Sequence, residues 1–428
     1  MGYSFQYDEG LRKHLKILDL AKWRSLIATI SKPLPEGRTV LVCGSGGTGK
    51  STFCKASINH ILTDQEFPGE GVEMKAGVVL IDLDLVQPEL TPAGLVYLAH
   101  VKSTLLGAPE SHYAIRGSNQ RLILRMHYLG GIKCDAVCPA SINAIEDLLQ
   151  HCVNVRKTFP GCSVLINSSC WLLDVGHGQL SNLISMMRLS DIVYFDSSGS
   201  LKHREVLTRS MGNKCHLWGL ASKAYRSAPA STIQWNRMQS YLHIAPSSDD
   251  RHYWDPLALL SFNKKELSYS GPDSMIWAVV TLGERLAADN IAQALEDSMV
   301  AIVVVQKDGC EAQNDQLLDD RPEDLPGDLA PDGQITPGRQ QADPAEIART
   351  AGENLPYFLD SDIEATFLHP QRSDCLGLAY ITAIDAERET LKVVTPISLQ
   401  IMSARREHGL GLVIVMGQQD LSWASVHG

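Results

Sequence analysis

Apolar residues in the first part of the chain fall in short continuous runs rather than in strict alternation. Runs at 39–43, 76–82, 161–166 and 191–195 are rich in Val, Ile and Leu. A short apolar run bounded by turn residues is the pattern of a central parallel strand buried on both faces. Between these runs the pattern predicts helices at about 50–63, 140–157 and 179–189. Strand–helix alternation of this kind predicts a right-handed parallel α/β sheet with helices on both faces. Ligands in such a sheet belong at the carboxyl ends of the strands. Further strands are expected at 275–282 and 299–305 with a helix at 287–297 between them, so 38–305 reads as one α/β domain. A lead-in segment, 1–37, precedes it and carries a short amphipathic helix at 23–30 that Pro33 and Pro35 end. From 308 to about 355 the chain is rich in Asp, Glu, Gln, Pro and Gly. Such a stretch buries too little apolar area to offset its ordering entropy, so 306–355 is expected to be an acidic disordered loop. Apolar runs return at 375–384, 390–395 and 411–416 and predict a small β-rich C-terminal module, 356–428.

The strongest chemical signal follows the first run. Gly44-Ser45-Gly46-Gly47-Thr48-Gly49-Lys50-Ser51-Thr52 has the full spacing G-x-x-x-x-G-K-[ST], after a predicted strand and before a predicted helix. Backbone N–H groups of such a loop point inward at phosphate oxygens, which favours residues without a bulky Cβ. The helix that follows turns its positive end to the anion. Lys50 then reaches the β- and γ-phosphates, and the Ser51 hydroxyl sits on Mg²⁺. These features make 38–305 a P-loop NTPase domain with ATP and Mg²⁺ as expected cofactors.

The second predicted strand ends in Asp82-Leu-Asp84. A carboxylate at that point lies beside the metal that Ser51 contacts. Asp84, two residues on in an extended chain, points to the same side and is placed for the metal or for an attacking hydroxyl. Asn167-Ser168-Ser169-Cys170-Trp171 follows another strand end and by the strand-end rule faces the site. Arg237 lies in a helical stretch at 234–243; spacing alone favours a solvated surface charge, while phosphoryl transfer asks for a mobile arginine, with Lys223 and Arg226 as rivals.

Composition narrows this picture in three ways. The formal net charge of −11 gives no sign of a nucleic-acid binder by bulk charge, although much of the acidity lies in 308–332. The ten cysteines are irregularly spaced and read as reduced thiols of a cytosolic or nuclear setting; Cys134 and Cys138 have no matching second pair for zinc. No apolar run approaches the ~18–20 residues that span a bilayer, so no membrane is expected as a partner.

Taken in order, the motifs resemble those of the polynucleotide 5′-hydroxyl kinases, in particular the nucleolar rRNA-processing branch. The P-loop is joined by Asp82-Leu-Asp84-Leu-Val-Gln87-Pro-Glu89-Leu-Thr-Pro92-Ala-Gly94, similar to the family's D-x-D-P-G-Q-x-E-x-x-P-x-G. His127-Tyr-Leu-Gly130, Asn167-Ser-Ser-Cys-Trp171 with Gly176-His-Gly178, Ser240-Tyr-Leu-His243 and Trp254-Asp-Pro-Leu257 are similar to further family segments, as is Cys375-Leu-Gly-Leu. The resemblance spans roughly 20–428.

It implies transfer of the ATP γ-phosphate to the 5′-OH of RNA or DNA. Lys50 would hold the phosphates and Ser51 the Mg²⁺, with Asp82 acting through the metal shell. Asp84 would orient or deprotonate the hydroxyl, with Gln87 and Ser168 near the substrate. Trp171 would stack a base, and Arg237 would be the lid arginine. It also implies an endoribonuclease partner and a nuclear, nucleolar address. Three departures stand out. Leu85-Val86 replaces Pro-Gly, Ser168-Ser169-Cys170 replaces Thr-Pro-Gly, and the family's N-terminal β-domain is not seen, which suggests a shortened chain. An ATP-binding scaffold subunit weakened in catalysis is the alternative these departures favour. A P-loop enzyme acting on a small metabolite is a third reading.

Overall fold

Five parallel strands carry the P-loop. A computed structural model of the chain describes residues 20–32, 34, 37–66, 77–107, 111–114, 121–130, 139–159, 161–173, 177–196, 201–212, 215–221, 230–245, 253–255, 263–272, 274–283, 286–306, 347–358, 368–407 and 410–417. Strands β1 (Thr39–Gly44), β2 (Val78–Asp82), β5 (Ser163–Asn167), β6 (Asp191–Asp196) and β7 (His216–Ala221) pair in parallel in the order β2-β5-β1-β6-β7. The expected parallel core is therefore present. The sheet is mixed, however, because β3 (Leu95–Val101) adds antiparallel to β2 and β4 (Arg121–Tyr128) antiparallel to β3. Two antiparallel steps return β4 to the direction of β1, so its carboxyl end lies on the same edge as the P-loop.

Helices cover both faces, as the alternation predicts. One face takes α1 (Leu20–Ile30), α2 (Lys50–Glu66) and α6 (Ala230–Leu242). The other takes α3 (Pro139–Thr158), α4 (His177–Met187) and α5 (Leu201–Met211). Helix α1 belongs to the lead-in segment, yet it is part of this core. Its Trp23 meets Phe53 of α2 and Phe195 of β6 edge to face, with ring centroids 5.3 and 5.5 Å apart, an arrangement aromatic rings favour.

A two-stranded ladder, β8 (Ile244–Ala245) with β9 (Tyr253–Trp254), follows α6, and the second large sheet beyond it is larger than the sequence suggests. Its order is β10-β16-β15-β12-β17-β11-β14-β13, with β10 (Lys264–Ser268), β11 (Ile276–Thr281), β12 (Met299–Val305), β13 (Ile347–Arg349), β14 (Pro356–Phe358), β15 (Ser373–Asp385), β16 (Thr390–Val394) and β17 (Gly411–Met416). Residues 264–305, expected with the P-loop domain, thus pair into the C-terminal sheet, because β12 lies between β15 and β17. Local pattern marks these segments as strands but carries no signal for which sheet they join. The last part of the expected disordered loop, 347–358, forms β13, a turn and β14; residues 307–346 of it lie outside the described residues. The outer face of this sheet is covered by α7 (Ala288–Leu295) and α8 (Leu399–Glu407). Cysteines 43, 54, 152, 162, 215 and 375 are free thiols, but Cys170 is disulfide-bonded, which departs from the expectation of reduced thiols throughout.

The two sheets share one core and a few buried polar ties. Asp374 accepts a hydrogen bond from Met126 N (3.1 Å), and the buried Arg125 joins the Asp147 carboxylate to Pro370 O. Helix α6 inserts Tyr241 against β15, where its hydroxyl accepts from Leu378 N (3.1 Å). Room for that hydroxyl comes from Gly377, whose φ is +146° and where a Cβ would lie 2.5 Å from Tyr241 Oη. Gly377→Ala is expected to cost about 1–3 kcal/mol through backbone strain and this clash, read from the urea midpoint. A loss under about 0.5 kcal/mol would contradict the packing described.

Candidate active site

At the end of β1 the chain turns sharply at Gly44, where φ is +137° and a Cβ would fall 2.5 Å from Phe195 O. Only glycine meets that combination of handedness and close approach. Gly46 and Gly47 form the exposed rim of the loop, while Thr48 Oγ1 donates to Ser45 O (2.8 Å) and steadies its base. Lys50 opens α2 and is buried; its Nζ donates to Gly44 O and Ser45 O, each at 3.0 Å. Burial holds its pKa below the ordinary amine value, with the Asp84 charge pulling the other way. The ammonium therefore sits at the floor of a loop whose N–H groups follow the phosphate-cradling pattern. Ser51 and the exposed Thr52 complete the first turn of the helix.

Asp82, at the carboxyl end of β2, is fully buried. Its Oδ1 accepts from Asp84 N (3.1 Å) and Asn167 Nδ2 (2.8 Å), and its Oδ2 from Glu89 N (2.8 Å) and Tyr97 Oη (3.0 Å). Four donors use the four lone-pair positions of a carboxylate. The carboxylate thus organises the groups around the expected metal position, in keeping with a part played through the metal shell. Asn167 also donates to Ser51 Oγ (3.3 Å), so a continuous chain of side chains joins the P-loop to β5 and β2. Burial, and then the Asp84 charge, push Asp82 up to about 7 against the pull of its donors.

Asp84 is half-buried beyond the strand. Its Oδ1 accepts from Val86 N (3.0 Å) and Gln87 N (3.1 Å), so the turn closes without the family's Pro-Gly. No described residue bonds its Oδ2. Gln87 is half-exposed on the same turn. Glu89 reaches down from that turn to His112 Nδ1 (2.6 Å) and Lys55 Nζ (3.3 Å).

Arg237 is neither a solvated charge nor a mobile lid group in this structure. It is buried, donates to Pro88 O and Glu89 O, and lies over the Tyr113 ring with its carbon 5.8 Å from the ring centroid. Tyr113 Oη in turn donates to Arg237 O (2.6 Å). It braces the turn that carries Asp84. Ser168, expected to touch substrate, is fully buried with its N–H on Val42 O (3.0 Å). Trp171 lies in a 3-10 turn, Cys170–Leu173, and its side chain lies outside the described residues, as do Lys223 and Arg226.

Sequence reasoning places Asn167 at the site without a role, and passes over the other side chains that connect these parts. Asn167 stands at a strand end, where the rule for parallel sheets directs attention. Tyr97 and His112 had no comparable signal. The residues present fit Mg²⁺. Ser51 Oγ and Asp84 Oδ2 are hard oxygen donors, and Asn167 Oδ1 is buried without a hydrogen-bond partner. Among the described residues no group of three His, Cys, Asp or Glu forms a self-contained metal centre. Mg²⁺ bound by one or two protein groups together with phosphates matches that sparse set.

Fold and loop together define a P-loop nucleotide-binding protein. Residues 44–243 match a family model described as mRNA cleavage and polyadenylation factor CLP1 P-loop. Over 97% of its length the chain is 30% identical to the polynucleotide 5′-hydroxyl-kinase grc3 of Aspergillus clavatus and to that of Aspergillus oryzae. It is 25% identical over 94% of its length to the GRC3 kinase of Gibberella zeae. The chain is thus similar in sequence to the polynucleotide 5′-hydroxyl kinases. It spans about half the length of the curated relatives it matches, 52–53%. Among solved structures, a wild-type Clp1p–Pcf11p complex shares the fold, with a TM-score of 0.55, 13% identity, and coverage of 93% of this chain and 80% of that one.

Asp82 has a pH consequence. With a folded value of about 7 against an ordinary 3.8, the folded chain binds more protons than the unfolded chain between those values. Stability from this group is thus present at low pH and lost as pH rises through the window. Relative to the parent, Asp82→Asn should gain stability between about pH 4 and about pH 7, by up to about 4 kcal/mol, and then level off. Denaturant titrations across that range measure it, and equal pH slopes for the two proteins would contradict it.

Proposed function

We propose that the protein is an ATP-dependent polynucleotide 5′-hydroxyl kinase that transfers the γ-phosphate to the 5′-OH of RNA or DNA. The observation that carries this reading is the linked set Ser51–Asn167–Asp82, which sets Asp84 beside the P-loop with one carboxylate oxygen unengaged by any described residue. Homology to kinases of that name supports the choice of acceptor.

Transfer is in line. The substrate O5′–Pγ bond forms as the bond from Pγ to the β,γ-bridging oxygen breaks, and ADP leaves. Asp84 Oδ2 orients the attacking hydroxyl and accepts its proton. Lys50 exchanges two loop carbonyls for phosphate oxygens, and the loop N–H groups hold the β-phosphate. Ser51 would hold Mg²⁺ with the phosphates, and the ion would supply charge neutralisation there, which leaves Asp84 Oδ2 to the hydroxyl. Asn167 and Asp82 fix these groups in register, and Arg237 holds the turn beneath Asp84. The rate enhancement comes from positioning and preorganised charge rather than from covalent catalysis. Gln87 and Trp171 belong to the acceptor side, with Trp171 stacking a base near the 5′ end. Lys223 and Arg226 take over the candidacy for a phosphate-neutralising group that Arg237 loses. The setting of the reaction is ribosomal RNA processing in the nucleolus, beside an endoribonuclease.

The buried Ser168 at the acceptor loop favours one other reading, a nucleotide-binding scaffold subunit. Labelled γ-phosphate from ATP separates the two. The kinase reading expects label on a 5′-OH single-stranded RNA, lowered about 100- to 1,000-fold by Lys50→Ala and by a similar factor by Asp84→Asn. ATP binding with no transfer by the parent protein would favour the scaffold.

A further inference from the structure

A cavity of about 590 Å³ opens where β4, the amino end of α3 and the second sheet meet. Cavities of this size at the junction of two structural units are where small organic groups bind. It is separate from the P-loop. In the order β4-β3-β2-β5-β1, four strand spacings lie between β4 and β1, or ~19 Å along the sheet edge. Both strands point the same way, so the cavity and the phosphate loop share the carboxyl edge of one sheet.

The chemistry of its walls is distinctive. His127 and Tyr128, from the end of β4, and His369 supply aromatic rings, while Val303 and Leu282 of the second-sheet region supply apolar surface. Asn143, one turn into α3, adds an amide with both donor and acceptor capacity. His127 is held rigidly: its Nε2 lies 2.8 Å from Asp147 Oδ2, and Arg125 Nε lies 2.8 Å from the same oxygen. Burial pushes His127 below the usual imidazole range, so its ring is neutral near pH 7. A cavity with flat rings, aliphatic contacts and one amide suits a planar heteroaromatic group carrying polar edges. Ala140, in the first turn of the 20-residue helix α3, also lines it. The positive end of that helix favours a nearby phosphodiester.

We propose that this cavity binds a nucleobase of the single-stranded polynucleotide, several nucleotides downstream of the 5′-hydroxyl. The assignment rests on the kinase reading for its acceptor. It adds a second anchoring point on the acceptor strand, so that affinity depends on strand length while the chemistry at the 5′ end does not. Base stacking and amide contacts are sequence-tolerant at such a point.

The test uses the whole chain with a 3′-fluorescein 5′-OH decaribonucleotide and a matching dinucleotide. Fluorescence anisotropy gives affinity without reference to catalysis, and label transfer gives KM and kcat. Ala140→Phe fills the cavity from an exposed position, and Asn143→Leu removes its amide. Each is expected to raise Kd and KM for the decanucleotide about tenfold. Neither should change kcat, ATP affinity or the dinucleotide KM. Decanucleotide affinity unchanged in both variants would overturn the proposal and leave the cavity to a protein segment or a small metabolite. Decanucleotide bound by the parent, weakened by the variants, yet never phosphorylated would remove the kinase reading and keep the cavity assignment. Phosphorylation with equal KM in parent and variants would do the reverse. Failure of the parent to bind the decanucleotide would overturn both.

Discussion

Asp82 accepts hydrogen bonds from β3, from β5 and from two backbone N–H groups of the turn that follows β2. A buried carboxylate is costly unless its lone pairs are met. The sequence around it supplies those donors: Tyr97 from the antiparallel neighbour, Asn167 from the parallel one, and N–H groups from a turn that bends back over the strand end. Removing any donor leaves charge without a partner in a dry place. This demand aligns the ends of β2 and β5, and Asn167 passes the alignment to Ser51 of the P-loop.

The same turn ties the nucleotide side to the second sheet. Arg237, backed by Tyr113, holds Pro88 and Glu89 from one side of α6, and one helical turn later Tyr241 docks at Gly377. One short helix therefore touches the turn bearing Asp84 and strand β15 of the other sheet. The cavity at the end of β4 is built by the same contact between sheets, with Arg125 and Asp374 as its buried polar fastenings. The cavity side of the molecule thus depends on both sheets, whereas the phosphate loop depends on the first alone.

Much of the nucleotide side was legible in the residue order, because a phosphate cradle dictates spacing within a single loop. The central strands were legible for a similar reason: burial on both faces leaves a continuous apolar run. The antiparallel additions β3 and β4 were not, since pairing direction leaves no mark in periodicity. Nor was the sheet to which β11 and β12 belong, and the edge strand β10, Lys-Lys-Glu-Leu-Ser, is too polar to announce itself. Arg237 shows the limit most clearly. Helical spacing says nothing of whether a guanidinium meets water, a phosphate or two backbone carbonyls, because its partners, Pro88 and Glu89, lie far away in sequence. Asp82 could be placed at its strand end from the residue order but its partners could not, since the donors around it come from three other segments.

The most direct measurement is single-turnover phosphate transfer from ATP to a 5′-OH RNA by Asn167→Ala. This change cuts the link between the P-loop and Asp82 without touching either. The account predicts a rate about 10- to 100-fold lower, as for loss of a supporting contact behind a reacting group, with ATP affinity within about threefold of the parent. A rate equal to that of the parent would contradict the claim that the Ser51–Asn167–Asp82 chain places the phosphate and Asp84 in register.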